Sequence, residues 1–138
     1  MLGRSETSMS RLSDLVCIAA MVLAAAGTPL AVAAEPSSTA RDEINHLLIY
    51  LERSGCEFFR NGDWYTATEA KDHLNQKYAY LLKKGMVREA EDFIRLAATS
   101  SSVSGKAYQV RCKAGNAVAS QAWLTDELMR YRRERNPK

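Results

Sequence analysis

Apolar residues recur at helical spacing along most of the chain after residue 40. In the first such segment they stand at i, i+3, i+4 and i+7, which places Ile44, Leu47, Leu48 and Leu51 on one helix face. Gly55 is expected to end this helix. A second helix is predicted up to Gly85, because Thr66-x-x-Glu69 has the form of a capping box at its start. The pattern predicts a third helix over about residues 87–98 and a fourth that ends near residue 133.

Two short segments show the features of β-strands instead. Asn61-Gly62 separates two aromatic-rich segments, and this dipeptide is the strongest short hairpin signal, since a type I′ turn needs positive φ at both central positions. Tyr108, Val110 and Cys112 alternate as in a further strand. The sequence therefore predicts an α+β domain, with about four helices packed on a small antiparallel sheet made of the β-hairpin plus one further strand.

The N-terminus has the order of a secretory signal peptide. A leader with basic residues precedes an apolar run over residues 15–26, and small residues follow at the sites that a signal peptidase accepts. Cleavage is expected after Ala33 or Ala34, with Ala34 favoured. The alternative is an uncleaved anchor, because residues 15–34 carry no charge, but this stretch is alanine-rich and interrupted by Gly27 and Pro29. We expect a cleavable signal peptide over residues 1–34, a polar linker over 35–40 and one domain over 41–138.

Removal of this leader leaves two of the three cysteines. Cys17 is lost, and Cys56 and Cys112 remain as a pair in an oxidising compartment, where a disulfide is the expected state. The alternative is two free thiols for redox or metal chemistry, but there is no C-x-x-C spacing and no third strong ligand nearby. The cysteines are therefore predicted to form a structural bridge.

The charge of the chain is nearly balanced. Nineteen Lys and Arg stand against 16 Asp and Glu, for a net charge of +3, and the leader removes two residues of each sign. Nucleic-acid binding is not expected from a mildly basic exported chain. The arginines between residues 130 and 135 are interpreted as a solvated helix end, with contact to an anionic partner as the alternative.

The second predicted helix carries a polar stripe. Glu69, His73 and Lys77 follow one another at i, i+4 spacing, so a carboxylate, an imidazole and an ammonium share one face. Such a stripe is compatible with acid–base chemistry or metal binding, but two ligands on a helix do not make a metal site. We therefore favour a solvated stripe with a capping glutamate, and we expect no metal and no other cofactor. His46 is expected at the surface.

A serine-rich loop and one arginine are further candidates. Ser101, Ser102 and Ser104 offer hydroxyls to a ligand, but a nucleophilic system would require one of them to meet His73, and no G-x-S-x-G motif is present. Arg60 beside the predicted turn has the donor geometry to bind a carboxylate or phosphate. Solvent exposure is the more common state of such an arginine.

Taken in order, these motifs resemble the YfeK-like family of small exported bacterial proteins. The resemblance covers residues 56–110 and rests on Phe58-Phe59-Arg60-Asn61-Gly62, Glu69-Ala70-x-x-His73-Leu74-x-x-Lys77, Glu91-Asp92-Phe93-Ile94 and Ser101-Ser102-x-Ser104-Gly105-x-x-Tyr108. It implies a periplasmic protein of a Gram-negative bacterium, of unknown function and with no catalytic residues to carry over. The family positions are Arg60, Asn61, Gly62, Glu69, His73, Lys77, Ser101, Ser102, Ser104 and Tyr108.

Several of these positions are polar residues that a core does not require. Arg60, His73 and Ser104 would converge in one polar patch if the second helix packs across the hairpin. The alternative is that Arg60 and the serine loop bond to helix ends. We expect a non-enzymatic periplasmic module that binds an envelope protein or a cell-wall component. Alternatives are a small hydrolase or metal-dependent enzyme using Glu69, His73 and the serine loop, or an immunity protein against an envelope-acting toxin.

Overall fold

A computed structural model describes residues 34–137, so almost all of the predicted signal peptide lies outside the described residues. Within this range, four helices and a four-stranded sheet confirm the predicted α+β class. The elements in chain order are α1 (Ser38–Arg53), β1 (Glu57–Arg60), β2 (Asp63–Tyr65), α2 (Ala67–Lys83), α3 (Ala90–Ala97), β3 (Gln109–Arg111), β4 (Val118–Ala119) and α4 (Ser120–Arg135). No helix in the described range is both long and apolar enough to cross a bilayer.

All neighbouring strands of the sheet run antiparallel, in the order β2-β1-β3-β4. The predicted hairpin joins β1 to β2, and its turn has positive φ at Asn61 (53°) and Gly62 (105°), as the Asn-Gly signal requires. The sequence did not predict β4, because its two residues are both exposed and show no apolar alternation. Pairing with β3 alone makes this short segment a strand.

Local signals account well for the start of α2. The Thr66 hydroxyl accepts from the Glu69 backbone N–H at 3.3 Å, and Glu69 Oε2 accepts from the Thr66 backbone N–H at 2.8 Å, so the predicted capping box is confirmed. Helix α3 begins at Ala90, three residues later than predicted. The delay arises because Asp92 accepts from the backbone N–H of Arg88 at 3.0 Å and so holds the preceding residues as a cap.

The core lies between the helices and the inner face of the sheet. The predicted apolar face of α1 is buried in it, with Ile44 and Leu47 fully enclosed. Phe58 of β1 and Val110 of β3 are paired in register and contribute the sheet's part of this core. Phe93, Leu124 and Leu128 complete its centre. The apolar periodicity of α1 thus marks its buried face correctly.

A disulfide joins Cys56 to Cys112, with 4.3 Å between their Cα atoms. The pairing of Glu57 with Arg111 sets the register that brings the two cysteines opposite each other, just beyond the ends of β1 and β3. Cys56 is buried and Cys112 is exposed. The bridge closes a sequence separation of 56 residues, so it restricts the unfolded chain strongly.

Arg132 departs from the interpretation of a solvated helix end, whereas Arg130, Arg133 and Arg135 are exposed. Arg132 Nε and Nη2 donate to the two carboxylate oxygens of Glu43 on α1 at 2.7 and 2.8 Å, and Glu43 is only 6 % exposed. Arg130 donates to Glu127, which is 4 % exposed. Two acidic side chains are thereby buried with charge-assisted hydrogen bonds.

His46 is not a plain surface residue either. Its Nε2 lies 2.5 Å from Glu127 Oε1, and its ring stacks on Tyr131 with 3.8 Å between the centroids. The histidine therefore fixes α1 against α4.

Candidate functional site

Arg60 ends strand β1 on the face of the sheet that meets α2. Its guanidinium carbon lies 4.6 Å from the centroid of the Tyr65 ring on the paired strand β2. Its Nη1 lies 3.0 Å from Nδ1 of His73, on α2. The guanidinium is therefore held by a stack on one side and a hydrogen bond on the other, with its remaining N–H groups available.

The contact with Arg60 determines the tautomer of His73. A guanidinium only donates hydrogen bonds, so Nδ1 of His73 must be the acceptor and the ring is neutral with its hydrogen on Nε2. Nε2 lies 3.1 Å from the Tyr108 hydroxyl oxygen and donates to it. Burial lowers the pKa of His73, and the positive charges of Arg60 and Lys77 lower it further. The neutral state is thus favoured by both geometry and charge.

Lys77 reaches the same hydroxyl from the next turn of α2. Its Nζ donates to the backbone carbonyl of Ser100 at 3.0 Å and lies 3.5 Å from the Tyr108 oxygen. Burial, and then the charge of Arg60, lower the pKa of Lys77. Burial raises the pKa of Tyr108, so this phenol keeps its proton.

Arg60, His73, Lys77 and Tyr108 form what we call the cationic cluster. Among residues 34–137, the carboxylates make ion pairs elsewhere or not at all, and none pairs with Arg60 or Lys77. The Tyr108 oxygen accepts from His73 and faces Lys77, which leaves its own hydrogen free to donate. The cluster therefore presents donors and positive charge.

The serine loop lies beside this cluster but contacts the hairpin turn. Ser104 Oγ donates to Oδ1 of Asn61 at 2.6 Å. Ser101 Oγ accepts from the backbone N–H groups of Val103 and Ser104, both at 3.2 Å, and Ser102 is exposed. Of the three residues expected in one polar patch, Arg60 and His73 are in direct contact, whereas Ser104 joins only through the turn residue next to Arg60.

A small cavity opens next to the cationic cluster, with a volume of about 30 Å³. Its lining is mainly apolar and includes Arg60, His73 and Tyr108 of the cluster but not Lys77. The residues that line it are Leu51, Phe58, Phe59, Arg60, Tyr65, Glu69, Ala70, His73, Leu74, Tyr108 and Ser120. A cavity needs about 10–15 Å³ to hold one water. This one has room for about two or three atoms of that size.

The three residues of the predicted polar stripe on α2 have two different roles. Glu69 caps its own helix through Thr66, whereas His73 and Lys77 turn towards Arg60 and Tyr108. Within the described part of the chain, no group of three His, Cys, Asp or Glu side chains has the arrangement of a metal site.

The comparison with known families covers most of the chain. Residues 38–132 match the model of a family of unknown function, DUF5329. The chain belongs to DUF5329. No curated protein and no solved structure gives a significant match. Membership of an uncharacterised family is thereby confirmed, while the YfeK-like resemblance stays a prediction.

The part that matches DUF5329 contains the whole cationic cluster and the disulfide. It begins with α1 and ends at Arg132, so the arginine that binds Glu43 is also included. The four residues of the cluster and both cysteines therefore belong to the DUF5329 domain and not to a flanking segment.

Sequence reasoning missed two parts of this DUF5329 site. Tyr65 supports Arg60 by stacking, and Ser100 holds Lys77 through its carbonyl. The register of the hairpin could have indicated Tyr65, because it lies on the same face as Arg60. No local signal identifies a backbone carbonyl as the partner of a lysine.

Proposed function

We propose that this DUF5329 protein is an exported, non-enzymatic binding module that holds an anionic group of an envelope protein or cell-wall component at the cationic cluster. One observation carries the proposal. Arg60 and Lys77 are both partly buried, and neither pairs with a carboxylate among residues 34–137. Lys77 contacts the Tyr108 hydroxyl directly, and Arg60 is linked to it through His73.

The energetics of buried charge support an anion as the ligand. Removing a cation from water is unfavourable unless an opposite charge or hydrogen-bond acceptors replace the lost solvation. Burial lowers the pKa of Lys77 for the same reason. A bound anion would offset it, and an arginine held in place beforehand loses little conformational entropy on binding.

The geometry of His73 favours binding over hydrolysis. A general base needs a free lone pair within reach of the group it deprotonates. The Nδ1 lone pair of His73 faces Arg60, and its Nε2 carries the hydrogen that is donated to Tyr108. The hydroxyls of Ser101 and Ser104 are bonded within the loop and to Asn61. These contacts leave His73 as a positioning residue for Arg60 and Tyr108.

Export is supported by two independent features. The N-terminal sequence has the order of a signal peptide, and the domain that follows contains a disulfide. Disulfides persist in oxidising compartments and are rare in the cytosol.

The proposal is tested by titrating the protein, purified after expression of the full chain in a Gram-negative host, with acetate and with inorganic phosphate by NMR. We expect Arg60→Gln and Lys77→Gln each to weaken anion binding roughly tenfold or more, since each removes a charge-assisted hydrogen bond. Exposed residues provide charge-matched controls, Arg133→Gln for the first variant and Lys83→Gln for the second. Equal affinity in all four variants, or no binding of either anion, would contradict the proposal.

A further inference from the structure

The cavity beside the cationic cluster has no role in binding a bare anion. Its lining includes the buried apolar side chains of Leu51, Phe58 and Leu74, and Arg60 and Tyr108 border the same cavity. Charge and apolar space are therefore adjacent. A ligand that uses both must carry its negative charge directly next to a small apolar group.

We infer that the ligand of this site is a carboxylate with a short apolar side chain, of the kind found at the C-terminal alanine of a peptide. The inference rests on the proposed function and specifies its ligand. In such a residue one carbon atom carries both the carboxylate and the methyl group. The carboxylate would bind Arg60 and the Tyr108 hydroxyl, and the methyl group would enter the cavity.

The size of the cavity limits the side chain. A volume of about 30 Å³ is about two to three times the space that one water needs, so it accepts a methyl or ethyl group. A phenyl or isobutyl group exceeds it. The hydrogen atom of a glycine is too small, because it would leave the apolar wall in contact with water or empty space.

The donor geometry favours a carboxylate over a phosphate. Arg60 is planar and fixed by Tyr65 and His73, so its free edge matches the two coplanar oxygens of a carboxylate. Phosphate carries acceptor oxygens on every side and would direct one of them towards the apolar wall. Glu69 also borders the cavity and stays ionised, but its Oε2 accepts from the backbone N–H and the hydroxyl of Thr66 at 2.8 Å each and is held at the start of α2.

The experiment compares ligands that differ by one group, titrated into the full protein purified as above. The probes are N-acetylglycine, both enantiomers of N-acetylalanine, N-acetylphenylalanine, N-acetylalaninamide and inorganic phosphate. Burial of one methyl group should make one alanine enantiomer bind about fourfold more tightly than N-acetylglycine. The amide, which lacks the charge, and the phenylalanine derivative should bind more weakly than N-acetylglycine.

A cavity-filling variant tests the placement of the methyl group. Ala70 lies on α2 and lines the cavity, and Ala70→Leu keeps a residue that favours helix. We expect this variant to lose the preference for alanine over glycine while it still binds N-acetylglycine. Ala79→Leu makes the same change at an exposed position of the same helix and should keep the preference.

The outcomes separate this inference from the proposed function. If N-acetylglycine and both alanine derivatives bind equally, or if phosphate binds and the carboxylates do not, the inference is overturned while anion binding stands. If no probe binds, both are overturned. The comparison of ligands on the unmodified protein does not depend on the folding of Ala70→Leu.

Discussion

Replacing Arg132 by methionine tests the ionic contact between α4 and α1. Arg132 donates two hydrogen bonds to Glu43 and two to Glu91, and the variant keeps a long apolar side chain but removes the charge. Glu43, which is 6 % exposed, would then be left buried without its partner. The pKa of Glu91, lowered mainly by its hydrogen bond to Arg132, should return towards its ordinary value.

The expected loss of stability follows from this burial. Breaking a fully buried ion pair costs about 3–5 kcal/mol, because an uncompensated charge remains in a poor solvent environment. The side chain of Arg132 is 35 % exposed, so water screens part of the interaction. We therefore expect a decrease of about 2–3 kcal/mol in the free energy of unfolding, which corresponds to roughly 10 °C or more in Tm for a domain of this size.

The assay is urea unfolding followed by circular dichroism, with Arg133→Met as the matched control. Arg133 is exposed and adjacent in sequence, so its replacement should change stability by less than about 0.5 kcal/mol. The double variant Arg132→Met with Glu43→Gln should recover part of the loss, because the buried charge is removed as well. If Arg132→Met is as stable as Arg133→Met, the reasoning is refuted.

Three further predictions concern the disulfide, His73 and export. Replacing Cys56 and Cys112 by serine should lower the free energy of unfolding by about 4 kcal/mol in the chain-entropy model for a separation of 56 residues; urea unfolding checks this, and a loss below about 1 kcal/mol would count against it. The folded-state pKa of His73 lies below the unfolded value, so the unfolded chain binds more protons and stability falls as pH drops through about 6.5. Urea unfolding at about pH 7.5 and about 5.5 should show a smaller decrease in His73→Gln than in the unmodified protein, and equal decreases would refute this. Intact-mass analysis of the exported protein should show a chain that begins at Glu35, whereas a chain that retains its leader would contradict cleavage.

Much of the fold follows from signals within a few residues of one another. The Asn61-Gly62 turn and the Thr66–Glu69 capping box are local, and the structure contains both. Register then brings Cys56 opposite Cys112 once β1 and β3 pair through Phe58 and Val110. Apolar periodicity is equally local, since it records which face of an element avoids water.

The residues of the candidate site are far apart in sequence, so no local pattern shows that they meet. Arg60 and Tyr108 are the two ends of a hydrogen-bonded chain through His73, and they are far apart in sequence, since Arg60 ends β1 and Tyr108 directly precedes β3. The sequence identified all three as candidates through the polar motif positions. It did not indicate that His73 would accept from Arg60 and donate to Tyr108, because these roles depend on how α2 packs on the sheet.

The same limit explains the two errors about polar side chains. Arg132 lies 89 positions from Glu43, and His46 lies 81 positions from Glu127, so helical spacing within α4 or α1 shows only a polar side chain at a helix surface. A short apolar pattern specifies the buried face of a helix. Which long polar side chain is then enclosed, and beside which partner, is decided only when the helices pack, because burial of a charge is tolerated where an opposite charge arrives with it.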